Sequence, residues 1–113
     1  GVSCIGAVEV DLIKDKIEVL VSGSHIAIML RPGVAFVAYS DRAKDRFAEV
    51  TPPRFYLDLN KYLSSQEQNS TPFTPNVALF RGVNAYVELV KHEGLNHVIK
   101  RHYSIRNALR TAL

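Results

Sequence analysis

The apolar positions of this chain fall into two short runs in its first half and two long helical stripes in its last third. Ile17 to Val21 is rich in β-branched residues and predicts a mostly buried strand, and Val34 to Tyr39 predicts a second one. Ser40 follows directly as a plausible N-cap and predicts a short helix over residues 41–47. Strands that alternate with helices in this way indicate an α/β fold.

Two long helices are predicted toward the end of the chain. Apolar residues recur at steps of three and four from Val77 to Val90, and Gly94 is a suitable stop. A second apolar seam follows at once, from Leu95 to Leu113. So few strands cannot cover both helices, and their edges would remain unpaired. Because the chain also enters at full hydrophobicity at Gly1, we expect an excised segment whose neighbours belong to a larger protein or a partner chain.

The stretch between the strands and the long helices has little periodicity. Residues 51–75 hold four of the five prolines and a polar tract at 64–70, and only Tyr56 to Leu63 predicts a helical turn or two. Such a stretch is either a linker or a functional loop. Thr71 to Pro75 favours a functional loop, because hydroxyls just before a helix N-terminus suit a phosphate. A proline-started N-cap explains the same residues without any ligand.

Composition and charge exclude several classes of function. The chain has 113 residues and 47% hydrophobic content, which is typical of one globular domain or a piece of one. A formal charge of +3 does not by itself imply nucleic acid. A solvated helix face explains the basic end of the last helix better than RNA binding does, and we expect no nucleic-acid partner. The basic residues are Lys100, Arg101, Arg106 and Arg110.

Membrane, metal and nucleophile functions also lack support in the sequence. No run approaches the roughly 18 consecutive apolar residues of a membrane span, so we expect no membrane partner. The single cysteine, Cys4, excludes an internal disulfide and fits a cytoplasmic protein. His97 and His102 are five residues apart, off the spacing that places two ligands on one helix face. We therefore expect no metal site.

Short motifs in a fixed order carry a family resemblance. Val21 to Gly33 reads Val-Ser-Gly-Ser-His-Ile, continues through Met29 and ends in Pro-Gly, and Thr71 to Pro75 reads Thr-Pro-Phe-Thr-Pro. These segments resemble the cofactor-lysine loop and a later turn of the class V aminotransferases, which belong to the fold type I superfamily of pyridoxal-phosphate enzymes. Further matching segments, in chain order, are 2–6, 34–40, 56–63, 94–96 and 101–102.

The resemblance implies a fold and a set of partners. Residues 1–113 would form a single partial domain of α/β class: the later part of the family's large domain, with few strands packed against two long C-terminal helices. Residues 95–113 would be the helix that leads toward the small domain. The implied partner is a second copy in a homodimer or the remainder of a larger aminotransferase chain. The implied family activity is transfer of an amino group between an amino acid and a 2-oxo acid.

The resemblance also places site residues. Ser24 and His25 would lie at the phosphate of pyridoxal phosphate, with His25 in place of the family's glutamine. Thr71 and Thr74 match a turn that approaches the cofactor phosphate of the neighbouring subunit in the family's dimers. Ile26 occupies the position of the Schiff-base lysine, and isoleucine has no nitrogen to form that bond or to shuttle a proton.

We therefore expect no catalytic residue here. Pyridoxal phosphate is the family's cofactor, but the resemblance alone does not imply that this chain binds it. The family's aspartate at the pyridine nitrogen and its substrate-binding arginine are absent as well. A segment of an aminotransferase-like protein, inactive as an isolated chain, is the first hypothesis. The alternative is a non-enzymatic dimerisation or interaction module derived from an aminotransferase.

Overall fold

The computed structural model describes residues 1–51 and 53–113, so Pro52, one of the prolines of the middle stretch, lies outside the described residues. The described chain contains two strands and four α-helices, an α/β arrangement as predicted. In chain order they are β1 (Val19–Gly23), β2 (Ala35–Tyr39), α1 (Asp41–Glu49), α2 (Leu59–Glu67), α3 (Val77–Glu93) and α4 (Leu95–Ala112).

The two strands form an antiparallel pair in which Val21 lies opposite Val37 and Gly23 opposite Ala35. The predicted bounds of the first strand, 17–21, were wrong by two residues at each end. Ile17 instead donates its backbone N–H to Leu12 O at 2.9 Å and closes the preceding turn. The pairing with β2 then carries the strand on to Gly23.

The loop between the strands is closed by Ser24, whose side chain is fully buried. Its hydroxyl donates to Arg31 O at 2.7 Å and accepts from the backbone N–H of Val34 at 3.3 Å. Its backbone N–H donates to Val34 O at 2.9 Å. Within this closed loop, Ile26–Ile28 form a 3₁₀ turn, and Ala27 and Ile28 point into the core.

Local capping explains where the two short helices begin. The hydroxyl of Ser40 accepts from the backbone N–H of Ala43 at 3.2 Å, which confirms the predicted N-cap of α1. The helical turn or two predicted within 56–63 is present, since residues 59–63 are the first part of α2. Asp58 accepts from the backbone N–H of Asn60 at 3.1 Å and so starts α2 at Leu59. The helix then continues into the polar tract, so residues 64–67 are helical and not a linker.

Arg54 joins the end of α1 to the start of α2. Its guanidinium donates to Asp58 Oδ1 at 3.0 Å, to Val50 O at 2.9 Å and to Phe47 O at 3.2 Å. The Arg54 and Asp58 side chains are only 24% and 22% exposed. The side chain of Asn60 also donates to Phe47 O, at 3.0 Å. This clamp satisfies helix-end carbonyls that would otherwise lack partners.

The two long helices were predicted correctly. Asn76 caps α3 by accepting from the backbone N–H of Leu79 at 3.2 Å, and α3 ends at Gly94, whose φ of 87° favours glycine. Helix α4 starts at the next residue, and its Val98 is 1% exposed. Farther along the predicted seam, Leu109 is 61% exposed, so the described elements cover only the first part of α4. None of the helices described is both long and apolar enough to cross a bilayer.

Candidate functional site

A cavity of about 800 Å³ lies against one face of the two-stranded sheet. Its floor is made by Gly23, Ala35, Val37 and Tyr39, which alternate along the paired strands and therefore share a face. The opposite wall comes from the middle stretch and the start of α3. The residues of that wall are Tyr56, Leu57, Leu59, Tyr62, Leu63, Gln66, Thr71, Phe73, Thr74, Pro75, Asn76 and Phe80.

His25 lies two residues after the end of β1 and borders this cavity. Atoms of its ring lie 2.9 and 3.0 Å from the point that a Cβ on Gly23 would occupy, so the ring packs on the glycine and a larger residue there would displace it. The Nδ1 atom of His25 is buried and has no hydrogen-bond partner among residues 1–51 and 53–113. A buried polar atom without a partner is costly, and in this side-chain position Nδ1 lies against Gly23.

Three of the four predicted cofactor residues line this one cavity: His25, Thr71 and Thr74. Thr71 already donates its hydroxyl to Phe73 O at 2.8 Å and keeps its oxygen as an acceptor. Ser24 does not line the cavity, because its hydroxyl is fully buried in the loop closure described above. The cofactor-phosphate role of these four residues remains a prediction.

Aromatic side chains form much of the cavity wall, and sequence reasoning did not single them out. The rings of Tyr56 and Tyr62 lie with their centroids 4.7 and 6.0 Å from that of Phe73. Desolvation raises the pKa of Tyr62 above its ordinary value of 10.0, and the neighbouring Tyr56 raises it further. The density of aromatic residues between 55 and 80 was the available signal, but only the fold shows that they face β2.

Ser22 borders the cavity from β1, although its side chain alternates to the other face of the sheet. Its hydroxyl is buried without a hydrogen-bond partner in the described part of the chain. The lining that the structure describes includes no Asp, Glu, Lys or Arg.

Ile26 follows His25 and does not line the cavity. Its side chain is 57% exposed, and its φ of 66° places it in the left-handed region. A β-branched residue is a marked outlier there, at a cost of about 1–2 kcal/mol. Met29, at the other end of the same turn, has a φ of 62° and is 60% exposed.

The donor set fits one mode of holding pyridoxal phosphate and not the other. The Thr74 hydroxyl and the aromatic walls suit a non-covalently held aromatic anion, whereas Thr71 already donates its hydroxyl to Phe73 O. The covalent bond to the aldehyde of the cofactor needs a lysine, and residue 26 is isoleucine. Within the described ranges, no group of three or more His, Cys, Asp or Glu side chains could hold a metal ion.

Comparisons with known proteins give two kinds of name, hydrogenase subunit and aminotransferase, and no protein-family model matches the chain. The whole chain is 38% identical to the small subunit of a soluble hydrogenase from Synechococcus, of which it covers 29%. It is 34% identical to an L-aspartate–glyoxylate aminotransferase from Paracoccus denitrificans, of which it covers 28%. The chain thus spans less than a third of the length of these relatives.

A solved structure supports the same assignment. The crystal structure of a subgroup IV aspartate aminotransferase from Thermus thermophilus matches 88% of this chain with a TM-score of 0.78 and 32% sequence identity, over 27% of its own length. Sequence similarity along the whole chain and a matching fold therefore carry the same conclusion. The chain corresponds to a segment of a class V aminotransferase.

Proposed function

We propose that this chain forms the cofactor-loop part of an aminotransferase-like protein and does not itself carry out amino-group transfer. The observation that carries the proposal is Ile26 in the loop where the family has its lysine. Its backbone is left-handed and its side chain largely exposed. An alkyl side chain at this point can neither bond to the cofactor's aldehyde nor move a proton.

The residues around Ile26 support a retained binding surface. His25, Thr71 and Thr74 border one cavity, and the walls supply flat aromatic contacts. When bound, pyridoxal phosphate supplies an electron sink for carbanion chemistry. His25 would hold its anionic group, and the aromatic walls would orient its ring and exclude water.

Two different names among the relatives lead to different activities, and the aminotransferase name fits this segment better. The matched solved structure is an aminotransferase as well.

The surroundings of the segment are part of the proposal. The exposed seam of α4, including Leu109, suits contact with the remainder of a larger aminotransferase chain or with a second copy. An interaction module would expose the same seam of α4, so this exposure does not favour the module over a segment of a larger chain. The single cysteine supports a cytoplasmic location.

Borohydride trapping with pyridoxal phosphate tests this proposal. Reduction fixes any Schiff base to a lysine, and peptide mapping then locates it. In the wild-type chain we expect only low, scattered labelling of the six lysines, none of which lines the described cavity. A single lysine labelled to near stoichiometry would contradict the proposal.

Two lysine substitutions test whether the loop keeps its geometry. In Ile26→Lys, we expect labelling concentrated at residue 26. The matched control is Met29→Lys, because Met29 has nearly the same φ and exposure in the same turn. Equal labelling of the two variants would show that residue 26 holds no special position.

A further inference from the structure

We propose that the junction of α3 and α4 is a latched joint: the ion pair between Glu93 and Arg101 fixes the direction of α4, and α4 swings about Gly94 when the pair is broken. The latch needs no cofactor, so a failure of the borohydride test of the proposed function leaves it standing. Its position matters because α4 carries exposed apolar residues, including Ile105 and Leu109, whose placement depends on the direction of the helix.

A single residue joins the two helices. Helix α3 ends at Glu93, α4 starts at Leu95, and Gly94 between them has φ 87° and ψ 129°, a conformation that breaks the helix. The backbone N–H of Gly94 closes α3 by donating to Val90 O at 2.8 Å. The backbone N–H of Val98 opens α4 by donating to Gly94 O at 3.1 Å. Rotation about the two backbone dihedrals of Gly94 therefore turns α4 as a unit.

The backbone carbonyl of Glu93 lies at the break. In an unbroken helix it would accept from the backbone N–H of His97, but that N–H donates to Gly94 O at 3.0 Å. The ring of His97 contacts the carbonyl instead, with Nδ1 2.9 Å from Glu93 O. This contact lies within one turn of Gly94, so it has a short lever arm against a swing of the far end of α4.

Little else in the described structure holds α4 in place. Val98 is buried near its base, and Ile99 and His102 are half-buried, but every residue from 103 to 112 is exposed. An open apolar cleft of about 340 Å³ borders the joint beside Leu95. The space in this cleft gives α4 room to swing.

The ion pair bridges the joint from α3 to a point about two turns into α4. Arg101 donates from Nε to Glu93 Oε1 at 2.9 Å and from Nη2 to Glu93 Oε2 at 3.1 Å. Such a bidentate pair fixes the direction of approach as well as the distance. The same hydrogen bonds lower the pKa of Glu93 and raise the pKa of Arg101, so both groups are charged at neutral pH. Among residues 1–51 and 53–113, no other ion pair connects α3 with α4.

Pulsed electron–electron distance measurements between two nitroxide labels test the latch. The labels are attached at Asn84→Cys in α3 and Ala108→Cys in α4, both exposed positions, in a Cys4→Ser background. Helix α4 runs about 21 Å from Gly94 to Ala108, so swings of about 10–20° move the second label by about 4–7 Å. We expect one narrow distance with Glu93 in place, and a distribution broader by about 4–7 Å in Glu93→Gln.

The matched control is Glu88→Gln. Glu88 pairs with Lys91 at 2.9 Å within α3, so the loss of its charge leaves the joint unchanged, and the distance should stay narrow. Glu93→Gln keeps the backbone carbonyl that the His97 ring contacts. Broadening in Glu93→Gln and not in Glu88→Gln therefore belongs to the ion pair across the joint.

Two results would overturn the proposal: a distribution as narrow in Glu93→Gln as in Glu88→Gln, or a distribution that is already as broad with Glu93 in place. Circular dichroism checks that each variant is folded. If Glu93→Gln does not fold, Arg101→Lys takes its place, because a lysine ammonium cannot reproduce the planar fork that holds both carboxylate oxygens. A narrow distance in Arg101→Lys would then contradict the latch.

Discussion

Replacing Arg54 by alanine removes the clamp between α1 and α2. The guanidinium makes three hydrogen bonds, to Asp58, Val50 and Phe47, and its side chain is 24% exposed. Hydrogen bonds that involve a charged group contribute about 1.5–3 kcal/mol each, less when they share one donor group. The truncation also leaves the Asp58 carboxylate partly buried without its cation. We expect the free energy of unfolding to fall by about 2–4 kcal/mol.

Urea unfolding measures this change. The chain has no tryptophan, so far-UV circular dichroism of the four helices is the appropriate signal. In thermal unfolding, the same loss corresponds to a Tm lower by about 10 °C for a domain of this size. Arg54→Lys is expected to lie between wild type and Arg54→Ala, because an ammonium cannot reproduce the planar fork that reaches three oxygens.

Arg46→Ala is the matched control, since Arg46 sits in α1 and pairs with Glu49 at 2.8 Å. That pair is 71% and 62% exposed, and such pairs contribute about 0–1 kcal/mol. If Arg54→Ala cost no more than Arg46→Ala, burial and multiple acceptors would not distinguish the two arginines. The proposed stabilising role of the Arg54 clamp would then be refuted.

Two further predictions concern the loop and the helix junction. Ser24→Ala is expected to cost about 1–3 kcal/mol in urea unfolding, because the buried hydroxyl of Ser24 makes hydrogen bonds with Arg31 O and with the backbone N–H of Val34. Ser22→Ala should be neutral or stabilising, since the buried hydroxyl of Ser22 has no partner in the described part of the chain, and equal costs of the two variants would contradict this. The bidentate hydrogen bonds from Arg101 hold the pKa of Glu93 below its ordinary value of 4.5. The contribution of Glu93 to stability is therefore complete above pH 4.5 and is lost as the pH falls through its lower folded-state pKa. In thermal unfolding between pH 7 and about pH 3, the Tm of Glu93→Gln should fall less toward acid pH than the Tm of the exposed control Glu88→Gln. Equal falls in Tm would contradict the prediction.

Much of the fold follows from local chemistry that a sequence displays directly. The cap at Ser40, the stop at Gly94 and the stripe of α3 are set by neighbouring residues, and all three were predicted. The bounds of β1 were not, because they depend on pairing with β2. The start of α2 at Leu59 was missed although its signal, the cap at Asp58, is local as well. Pairing partners are set by the folded chain and not by the pattern of a single strand.

The candidate site was likewise predicted only in part. The family motifs named His25, Thr71 and Thr74, which the fold brings to one cavity. They did not show that the hydroxyl of Ser24 closes its own loop, because a serine motif does not reveal which partner the oxygen finds. The left-handed backbone of Ile26 was equally invisible, since β-branched residues rarely adopt it.

We propose that this loop takes the place of the family's cofactor-lysine loop in the fold and lacks the family's covalent chemistry at residue 26. The most direct test is the stoichiometry of borohydride-trapped pyridoxal phosphate at each mapped residue, compared between wild type and Ile26→Lys. We predict scattered, substoichiometric labelling in wild type and a single dominant label at residue 26 in the variant. One dominant labelled lysine in wild type, or no preference for residue 26 in Ile26→Lys, would contradict the claim.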